Sequence, residues 1–181
     1  MNYYIADPHF GHSNIIRLNH RPFNSVEEMD EILIKNWNER VKDTDVVYII
    51  GDFSFKSVTN PIKVLKRLKG QKVLIEGNHD CKNLKNIEFR NCFSEICSIK
   101  EIYDGGKRVI MCHYPLVEWN GYFRGSYLVY GHIHNNTIND AFKIMKNIPN
   151  ALNAGVDITN YYPVTIDELI ECNKIFNRKN S

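Results

Sequence analysis

Short hydrophobic runs that end in polar side chains recur along this chain of 181 residues. Five of these runs have the length of a β-strand, and each ends in residues that can bind a metal ion. The runs are residues 3–5 before Asp7 and His9, 46–50 before Asp52, 73–75 before Asn78, 109–112 before His113, and 128–130 before His132 and His134. Continuous apolar runs are typical of strands covered on both faces, and such strands present ligands at their carboxyl ends. We therefore predict a buried sheet with its chemistry at the strand ends.

The segments between the first three strands carry helix signals. Ser25, with a glutamate three residues later, forms a capping-box pattern, and apolar residues follow it at helical spacing. Asn60 and Pro61 mark the start of a second helix, for which Gly70 is the stop signal. Alternation of strand and helix predicts a parallel sheet in this half of the chain. The polar segment 7–21 is predicted to be a loop.

The second half of the chain has a different pattern. Two short runs flank residues 104–106, whose Asp-Gly-Gly sequence is a hairpin signal, and further strands are predicted at 127–130 and 151–154. Thr165 caps a final amphipathic helix. Because the strands are too many for one small sheet, we predict an α/β fold of the α+β type. It is a four-layer β-sandwich of two mixed sheets flanked by helices, in a single domain spanning residues 1–181.

Composition restricts the classes of protein to which the chain can belong. A hydrophobic content of 43% and a charged content of 24% are ordinary for a globular domain. The net charge of +2 gives no electrostatic reason to expect a nucleic acid or a membrane as partner. The five cysteines lack a CxxC pair, so neither a disulfide framework nor a zinc ribbon is predicted. With no signal-peptide pattern and no run of membrane-spanning length, we expect a cytoplasmic protein with reduced thiols.

The polar strand ends together form a metal-ligand set. Its members are two carboxylates, one amide and four imidazoles: Asp7, Asp52, Asn78, His9, His113, His132 and His134. Oxygen ligands mixed with imidazole suit manganese, iron, zinc or nickel better than magnesium or calcium. Any one motif alone would be read as an ordinary turn, but the coincidence of five favours a metal site. Seven ligands exceed what one ion takes, whereas two ions about 3.5–4 Å apart that share one carboxylate would use them all.

The order of these motifs resembles that of a known family. DPH at 7–9, GD at 51–52, GNHD at 77–80, the lone His113 and GHIH at 131–134 are similar to the motifs of the calcineurin-like metallophosphoesterase superfamily. The sequence DPHFGH followed by RPF resembles its small single-domain bacterial and phage-type members. This resemblance implies a β-sandwich flanked by helices that carries two divalent ions, for which manganese is the first candidate and iron, zinc, nickel and cobalt are the alternatives.

The resemblance also implies a role for each motif residue. It implies that Asp7, His9 and His134 hold one ion, that Asn78, His113 and His132 hold the other, and that Asp52 bridges them. His79 is similar to the family's catalytic histidine, and Asp80 to the carboxylate that orients it. The chain departs from the family at residues 53–55, where Phe-Ser-Phe follows the GD motif and many members carry a further acidic residue.

The activity implied is metal-dependent hydrolysis of phosphoric esters. A metal-bridging hydroxide would attack phosphorus, and His79 would protonate the leaving oxygen. We expect a small phosphate-ester substrate, with diesters, including nucleotide-derived ones, favoured over monoesters, because no cap domain or nucleic-acid module is evident. Two alternatives stay open at this point: a metal-dependent nuclease acting on DNA or RNA, and a non-catalytic metal-binding protein.

Two loops supply candidates for substrate contacts. His12, Arg17 and Arg21 lie in the segment of the first ligands, and Tyr114 and Arg124 lie in the loop after His113, together with Trp119, Tyr122 and Phe123. The arginines and His12 could bind a phosphate group, and the aromatic side chains could stack on a base. The alternatives are ordinary surface polarity for the first loop and simple packing of the aromatic side chains for the second.

Overall fold

The computed structural model of the protein describes residues 1–55 and 59–180. The strands in these residues are β1 (Asn2–Ile5), β2 (Val46–Ile50), β3 (Gln71–Ile75), β4 (Glu95–Cys97), β5 (Ile99–Asp104), β6 (Lys107–Cys112), β7 (Tyr127–Tyr130) and β8 (Ala151–Asn153). The α-helices are α1 (Ser13–Leu18), α2 (Val26–Arg40), α3 (Pro61–Arg67), α4 (Ile87–Arg90), α5 (Asp140–Met145) and α6 (Ile166–Lys179). Two short 3₁₀ helices span Asp80–Lys85 and Tyr122–Arg124. No helix in the described ranges is both long enough and apolar enough to cross a bilayer.

The strands form two four-stranded sheets, each with its strands in chain order. The first sheet, β1 to β4, is parallel throughout, as the strand–helix alternation predicts. In the second sheet β5 is antiparallel to β6, whereas β6, β7 and β8 are parallel. The predicted fold class is thus confirmed, with the mixed pairing confined to the second sheet.

Side chains of the first sheet alternate between two hydrophobic layers, as the period of a strand requires. On β2, Val47 and Ile49 belong to the cluster formed with the helices. Their neighbours Tyr48 and Ile50 belong to the cluster that lies between the two sheets. Full burial of such a side chain stabilises the fold by about 1.5–3 kcal/mol. Because both faces are covered, the strands are fixed firmly and their ends are positioned with little freedom.

Helices cover the outer faces of both sheets. Met29 and Trp37 of α2, with Leu65 of α3, pack on the first sheet. Phe142 of α5 belongs to the cluster on the outer face of the second sheet. The sheets also meet at one edge, where the Ala6 N–H donates to the Ala154 carbonyl at 2.7 Å. This contact brings the ends of β1 and β8 together.

The predicted helix starts are present with their side-chain caps. Ser25 Oγ accepts the Glu28 N–H at 3.1 Å at the start of α2. The Glu28 carboxylate bonds to the Asn24 N–H, one residue earlier than a capping box would have it. Asn60 caps α3, and Thr165 caps α6 with both halves of the capping box formed.

The prediction of a loop over residues 7–21 is wrong in its middle, where α1 forms. This helix has six residues, one of them fully buried (Ile15), and no side-chain cap, so it leaves no helical period in the sequence. The strand β4 and the helices α4 and α5 were not predicted for a similar reason. Each has three to six residues and is set by tertiary contacts rather than by a repeated pattern.

Replacement of Thr165 by alanine should destabilise the protein through its last helix. The change removes the Thr165 hydroxyl that caps α6, at a cost of about 1 kcal/mol in the free energy of unfolding. Urea denaturation measures this difference. Thr44, exposed in a turn, provides the matched control, since Thr44→Ala should leave the denaturation midpoint nearly unchanged. Equal midpoints for the two variants would contradict the capping role.

Candidate metal centre

All seven predicted ligands lie at the same edge of the sandwich, beyond the carboxyl ends of β1, β2, β3, β6 and β7. Six of them form two groups that could each hold a metal ion. These groups are Asp7, His9 and His134, and Asp52, His113 and His132. Within each group the potential ligand atoms all lie within 4.8 Å of one another. The convergence that the strand-end pattern predicts is therefore present.

Asp52, a member of the second group, also lies beside the first. Its Oδ2 atom is 3.6 Å from His9 Nε2 and 3.6 Å from His113 Nε2. Two atoms that bind one ion at about 2.1 Å each lie about 3–3.5 Å apart. The observed spacings are slightly wider than this and too long for hydrogen bonds. Asp52 is thus placed to share a ligand shell with residues of both groups.

Asn78 adds an amide oxygen to the second group. Its Oδ1 atom lies 3.1 Å from His113 Nε2 and 3.1 Å from His132 Nδ1. His113 Nδ1 lies 3.0 Å from the Ile50 carbonyl and must donate to it, so Nε2 of the neutral ring carries a lone pair. An imidazole nitrogen and an amide oxygen that face the same space can both bind one cation. This arrangement fits a divalent ion held by Asn78 and the two imidazoles.

Several buried polar atoms of the first group lack a partner in the described residues. Asp7 Oδ2 accepts the His132 N–H at 2.9 Å, but Asp7 Oδ1 and both ring nitrogens of His9 form no hydrogen bond there. Burial raises the pKa of Asp7 to about 6 and lowers the pKa of His9 well below its usual value. Unpaired buried polar groups are costly. A divalent cation is the partner that would satisfy these atoms together, so the residues present fit such an ion.

The backbone at the site is strained. Among the described residues, positive φ angles occur at five of the predicted ligands: Asp7 (54°), His9 (53°), Asp52 (53°), His132 (71°) and His134 (51°). Residues with a Cβ rarely adopt this region, and each instance costs of order 1–3 kcal/mol. Strain of this kind persists only where surrounding structure imposes it. The fold therefore holds these side chains against their local preference.

Two glycines permit the close approach of the ligand loops. A Cβ on Gly77 would collide with the backbone nitrogen and Oδ1 of Asp52. A Cβ on Gly51, whose φ is +78°, would collide with the imidazole of His113. The glycines of the GD and GN motifs are thus required by packing between loops.

The structure corrects the role predicted for Asp80. Its buried carboxylate accepts three backbone N–H groups, from Asp52 at 2.8 Å, Phe53 at 3.0 Å and Gly77 at 2.9 Å. No hydrogen bond or ion pair connects it to the His79 ring within the described residues. Burial raises the pKa of Asp80 to about 6. Asp80 therefore joins the two loops that carry Asp52 and Asn78, and does not orient the imidazole of His79.

His79 lies beside the ligand groups and is held by other contacts. Its Nε2 atom is 3.8 Å from Asp52 Oδ2, and its backbone N–H donates to Asp52 Oδ1 at 2.9 Å. The ring packs edge-on against Phe55, with centroids 4.8 Å apart, and lies 5.5 Å from the ring of His9. The side chain is 38% exposed. His79 can thus meet both a substrate at the centre and solvent.

Two of the predicted substrate contacts lie at the centre. The His12 ring stacks on Phe55 at 4.1 Å and lies 5.4 Å from the ring of His9. Tyr114 lies on the side of the second group, 5.1 Å from the His113 ring and 4.8 Å from the His132 ring, and is 45% exposed. Their positions are compatible with substrate binding, which stays a prediction for both.

Arg21 does not face the open side of the centre. Its side chain is 0% exposed and pairs with Asp157, with 2.9 Å between Nε and Oδ1. The guanidinium also donates to the backbone carbonyls of Asp7 and Pro8, both at 2.9 Å. The proposal that Arg21 binds a substrate phosphate is therefore wrong, because its donors are used inside the protein.

The other two arginines form no bond to the ligands in the part of the chain that the structure describes. Arg17 is exposed on α1 and has no hydrogen bond or ion pair to a predicted ligand among the described residues. Arg124 lies in the 3₁₀ helix that follows Gly121. Gly121 is close to Arg108 at the amino end of β6, since a Cβ on Gly121 would lie 3.2 Å from the Arg108 side chain. This is the end opposite to His113, so Arg124 is not a contact for a phosphate at the centre.

The aromatic side chains near Arg124 pack the loop itself. Trp119 Nε1 donates to Ser126 Oγ at 3.0 Å, and its ring packs edge-on against Tyr122. Phe123 is exposed. For Trp119 and Tyr122 the structure therefore favours packing, whereas the exposed ring of Phe123 is not explained in this way.

One residue of the site was missed by the sequence interpretation. Asp157, which follows β8, is buried and lies with Oδ2 3.4 Å from His134 Nδ1. Burial acts to raise its pKa, but His134 and Arg21 together hold that pKa below its usual value. A signal exists in the sequence, since residues 151–154 are a predicted strand and Asp157 follows shortly after it.

Asp80→Asn should lower stability as well as metal retention. The amide nitrogen that the substitution introduces would replace an oxygen that now accepts a backbone N–H, which leaves buried donors unpaired at a cost of about 1–3 kcal/mol. Denaturation of the metal-free protein measures this loss, and elemental analysis after gel filtration measures retained metal. Asp43, exposed in a turn, is the matched control as Asp43→Asn. If Asp80→Asn lowered turnover alone, with stability and metal content intact, the role of joining the loops would be contradicted.

Comparisons with known proteins give the same assignment as the site. A family model described as the calcineurin-like phosphoesterase superfamily domain matches residues 6–155. An uncharacterized protein of Methanocaldococcus jannaschii, MJ1445, is 35% identical over 178 residues, which cover 96% of this chain and 93% of that protein. The Gene 66 protein of Mycobacterium phage L5 is 27% identical over 159 residues, which cover 73% of this chain and 76% of that protein.

A solved structure shows the same fold. The crystal structure of AQ665 from Aquifex aeolicus, a protein of unknown function, matches with a TM-score of 0.72 and 31% sequence identity, covering 94% of this chain and 98% of that one. The names of these relatives state no activity, so the assignment depends on the family match together with the ligand groups. The chain belongs to the calcineurin-like phosphoesterase superfamily and is a metal-dependent phosphoric ester hydrolase.

Proposed function

We propose that the protein hydrolyses small phosphodiesters at a centre of two divalent ions, with manganese as the first candidate. The observation that carries this proposal is the position of Asp52 Oδ2, at 3.6 Å from a histidine of each ligand group. A carboxylate so placed can bind two ions at once. Asp7, His9 and His134 would hold one ion, and Asn78, His113 and His132 the other.

Two divalent cations held by these residues would supply a water of lowered pKa and would offset the charge that develops on the phosphoryl oxygens. The chain's own contribution is to fix where these events occur. Asp80 holds the loops of Asp52 and Asn78 at a constant separation through three backbone hydrogen bonds. Because the strained ligand backbones are imposed by the fold, little reorganisation is needed when substrate binds.

In this proposal His79 would protonate the leaving oxygen. Its ring nitrogen lies 3.8 Å from Asp52 Oδ2, beside the centre, and the exposed part of the ring can exchange protons with water. Contact with Phe55 restricts the ring's orientation. General acid catalysis by a side chain so placed contributes about 10²–10⁴-fold to the rate.

The charge around the centre favours a diester. A phosphate monoester carries a charge of about −1.5 to −2 at neutral pH, whereas a diester carries one negative charge. In the described residues no lysine or arginine pairs with a predicted ligand side chain, and the guanidinium of Arg21 forms an ion pair with Asp157. Around the ions, the second charge of a monoester would thus meet histidines and Tyr114 but no lysine or arginine of the described residues. Diesters should therefore be the better substrates.

A panel of substrates tests the proposed function directly. Protein freed of metal by chelation should be inactive, and manganese should restore hydrolysis of bis-p-nitrophenyl phosphate with a higher kcat/KM than that of p-nitrophenyl phosphate. Cyclic nucleotides and oligonucleotides complete the panel. Preferred cleavage of oligonucleotides, with a steep fall as salt increases, would instead identify a nuclease. No hydrolysis of any ester by protein that carries two ions would end the proposal.

The leaving-group dependence of His79→Gln tests the general acid. Turnover of a diester with an alkyl leaving group should fall about 10²–10⁴-fold, because an alkoxide needs a proton to depart. The loss should be much smaller for p-nitrophenolate, which is a stable anion. Metal content should equal that of the wild type, since His79 is not among the predicted ligands.

His20 offers a matched control for this experiment. It is exposed, lies outside the ligand groups and has a positive φ of 53°, which asparagine tolerates well. His20→Asn should turn over both diesters at the wild-type rate. An equal loss on both leaving groups in His79→Gln would mean that His79 does not act as the acid.

A further inference from the structure

A buried ion pair lies behind one of the two ligand groups. Arg21 and Asp157 are joined by two charge-assisted contacts, at 2.9 Å from Nε to Oδ1 and at 3.2 Å from Nη2 to Oδ2. Their side chains are 0% and 1% exposed. The residues are 136 positions apart in the chain, so the pair exists only in the folded molecule.

Each member of the pair also contacts the first ligand group. The Arg21 guanidinium donates to the carbonyls of Asp7 and Pro8, which fixes the backbone that leads to His9. Asp157 Oδ2 lies 3.4 Å from His134 Nδ1, which leaves Nε2 as the ring nitrogen able to face an ion. A carboxylate behind a ligating imidazole fixes the ring's tautomer and orientation. The pair thus reaches all three residues of this group.

General stabilisation is a poor explanation for such a pair. Buried ion pairs often contribute little net stability, because the cost of removing two charges from water offsets their attraction. Here the pair supports three residues with positive φ, at Asp7, His9 and His134, which would relax if nothing held them. Its most direct effect is therefore on the geometry of these ligands.

The second group is supported by different contacts. His113 Nδ1 donates to the carbonyl of Ile50, and Asn78 Oδ1 lies beside His113 and His132. In the described residues neither Arg21 nor Asp157 forms a hydrogen bond with this group. Apart from Asp52 and the His132 N–H, which donates to Asp7 Oδ2, the two groups of ligands thus have separate side-chain supports.

We propose that the Asp157–Arg21 pair is a positioning device for one ion only, the ion held by Asp7, His9 and His134. Asp157 acts through the imidazole of His134, and Arg21 acts through the backbone of Asp7 and Pro8. This inference rests on the proposed centre of two ions. Loss of the pair should weaken the first ion and leave the second in place.

Manganese titration of Asp157→Asn tests this selectivity. The substitution keeps the size of the side chain and removes its charge. Calorimetry should show the wild type binding two ions and the variant binding one of them roughly 10–100-fold more weakly. Electron paramagnetic resonance adds a signature that a loss of stability would not produce. The signal of a coupled manganese pair should be replaced by that of an isolated ion.

Controls separate this inference from the proposed function. Asp167, exposed and paired with Lys107 at the surface, gives the matched variant Asp167→Asn, which should bind both ions as the wild type does. A wild-type protein that binds fewer than two ions would refute the proposed function itself. If the wild type binds two ions, either of two results would refute only the positioning role. One is an Asp157→Asn protein that binds both ions with unchanged affinity. The other is a folded Asp157→Asn protein in which both affinities are lost equally.

If Asp157→Asn does not fold, a second variant tests the same proposal. Arg21→Lys keeps the positive charge but cannot reach Asp157 and both carbonyls at once, since a lysine lacks the planar fork of donors. The same selective weakening of one ion is expected. Two ions bound with wild-type affinities in this variant would contradict the proposal.

Discussion

The rest of this structure depends on one constraint. Several buried ligand atoms lack a hydrogen-bond partner in the described residues, and they need a cation. Asp7 Oδ1 and both nitrogens of His9 are enclosed without a hydrogen-bond partner in the described residues. In a metal-free protein this arrangement is unfavourable, because buried polar groups lose their water and gain nothing in return. Divalent ions would turn the same atoms into a source of stability. The stability of the fold and the binding of metal are therefore coupled at this edge of the sandwich.

The sandwich explains how such an unfavourable cluster can be assembled. Its sheets bury side chains on both faces, so the strand ends cannot move to relieve strain at the ligands. Asp80 ties the loops after β2 and β3 to each other, and the Arg21–Asp157 pair ties the loop after β1 to the segment after β8. Asp80 and Asp157 thus support the site, although neither is a predicted ligand. Their burial places them where solvent cannot compete for their contacts.

The sequence predicts the centre well because the information is local there. A ligand such as Asp7 or His113 follows an apolar run, and parallel strands bring their ends to one edge. The same reasoning fails for Arg21 and Asp80, because their partners are set by distant segments. Arg21 turns inward because of Asp157, and Asp80 finds backbone donors at Asp52 and Phe53. The short helix α1 lacked a periodic signal for a simpler reason, since only one of its residues is fully buried.

Anomalous scattering from crystals grown with manganese would locate the ions and identify their ligands. We expect two anomalous peaks about 3.5–4 Å apart at this edge of the sandwich, with Asp52 bound to both. One peak should be bound by Asp7, His9 and His134, and the other by Asn78, His113 and His132. A single peak, or peaks at other residues, in crystals of fully loaded protein would contradict this expectation.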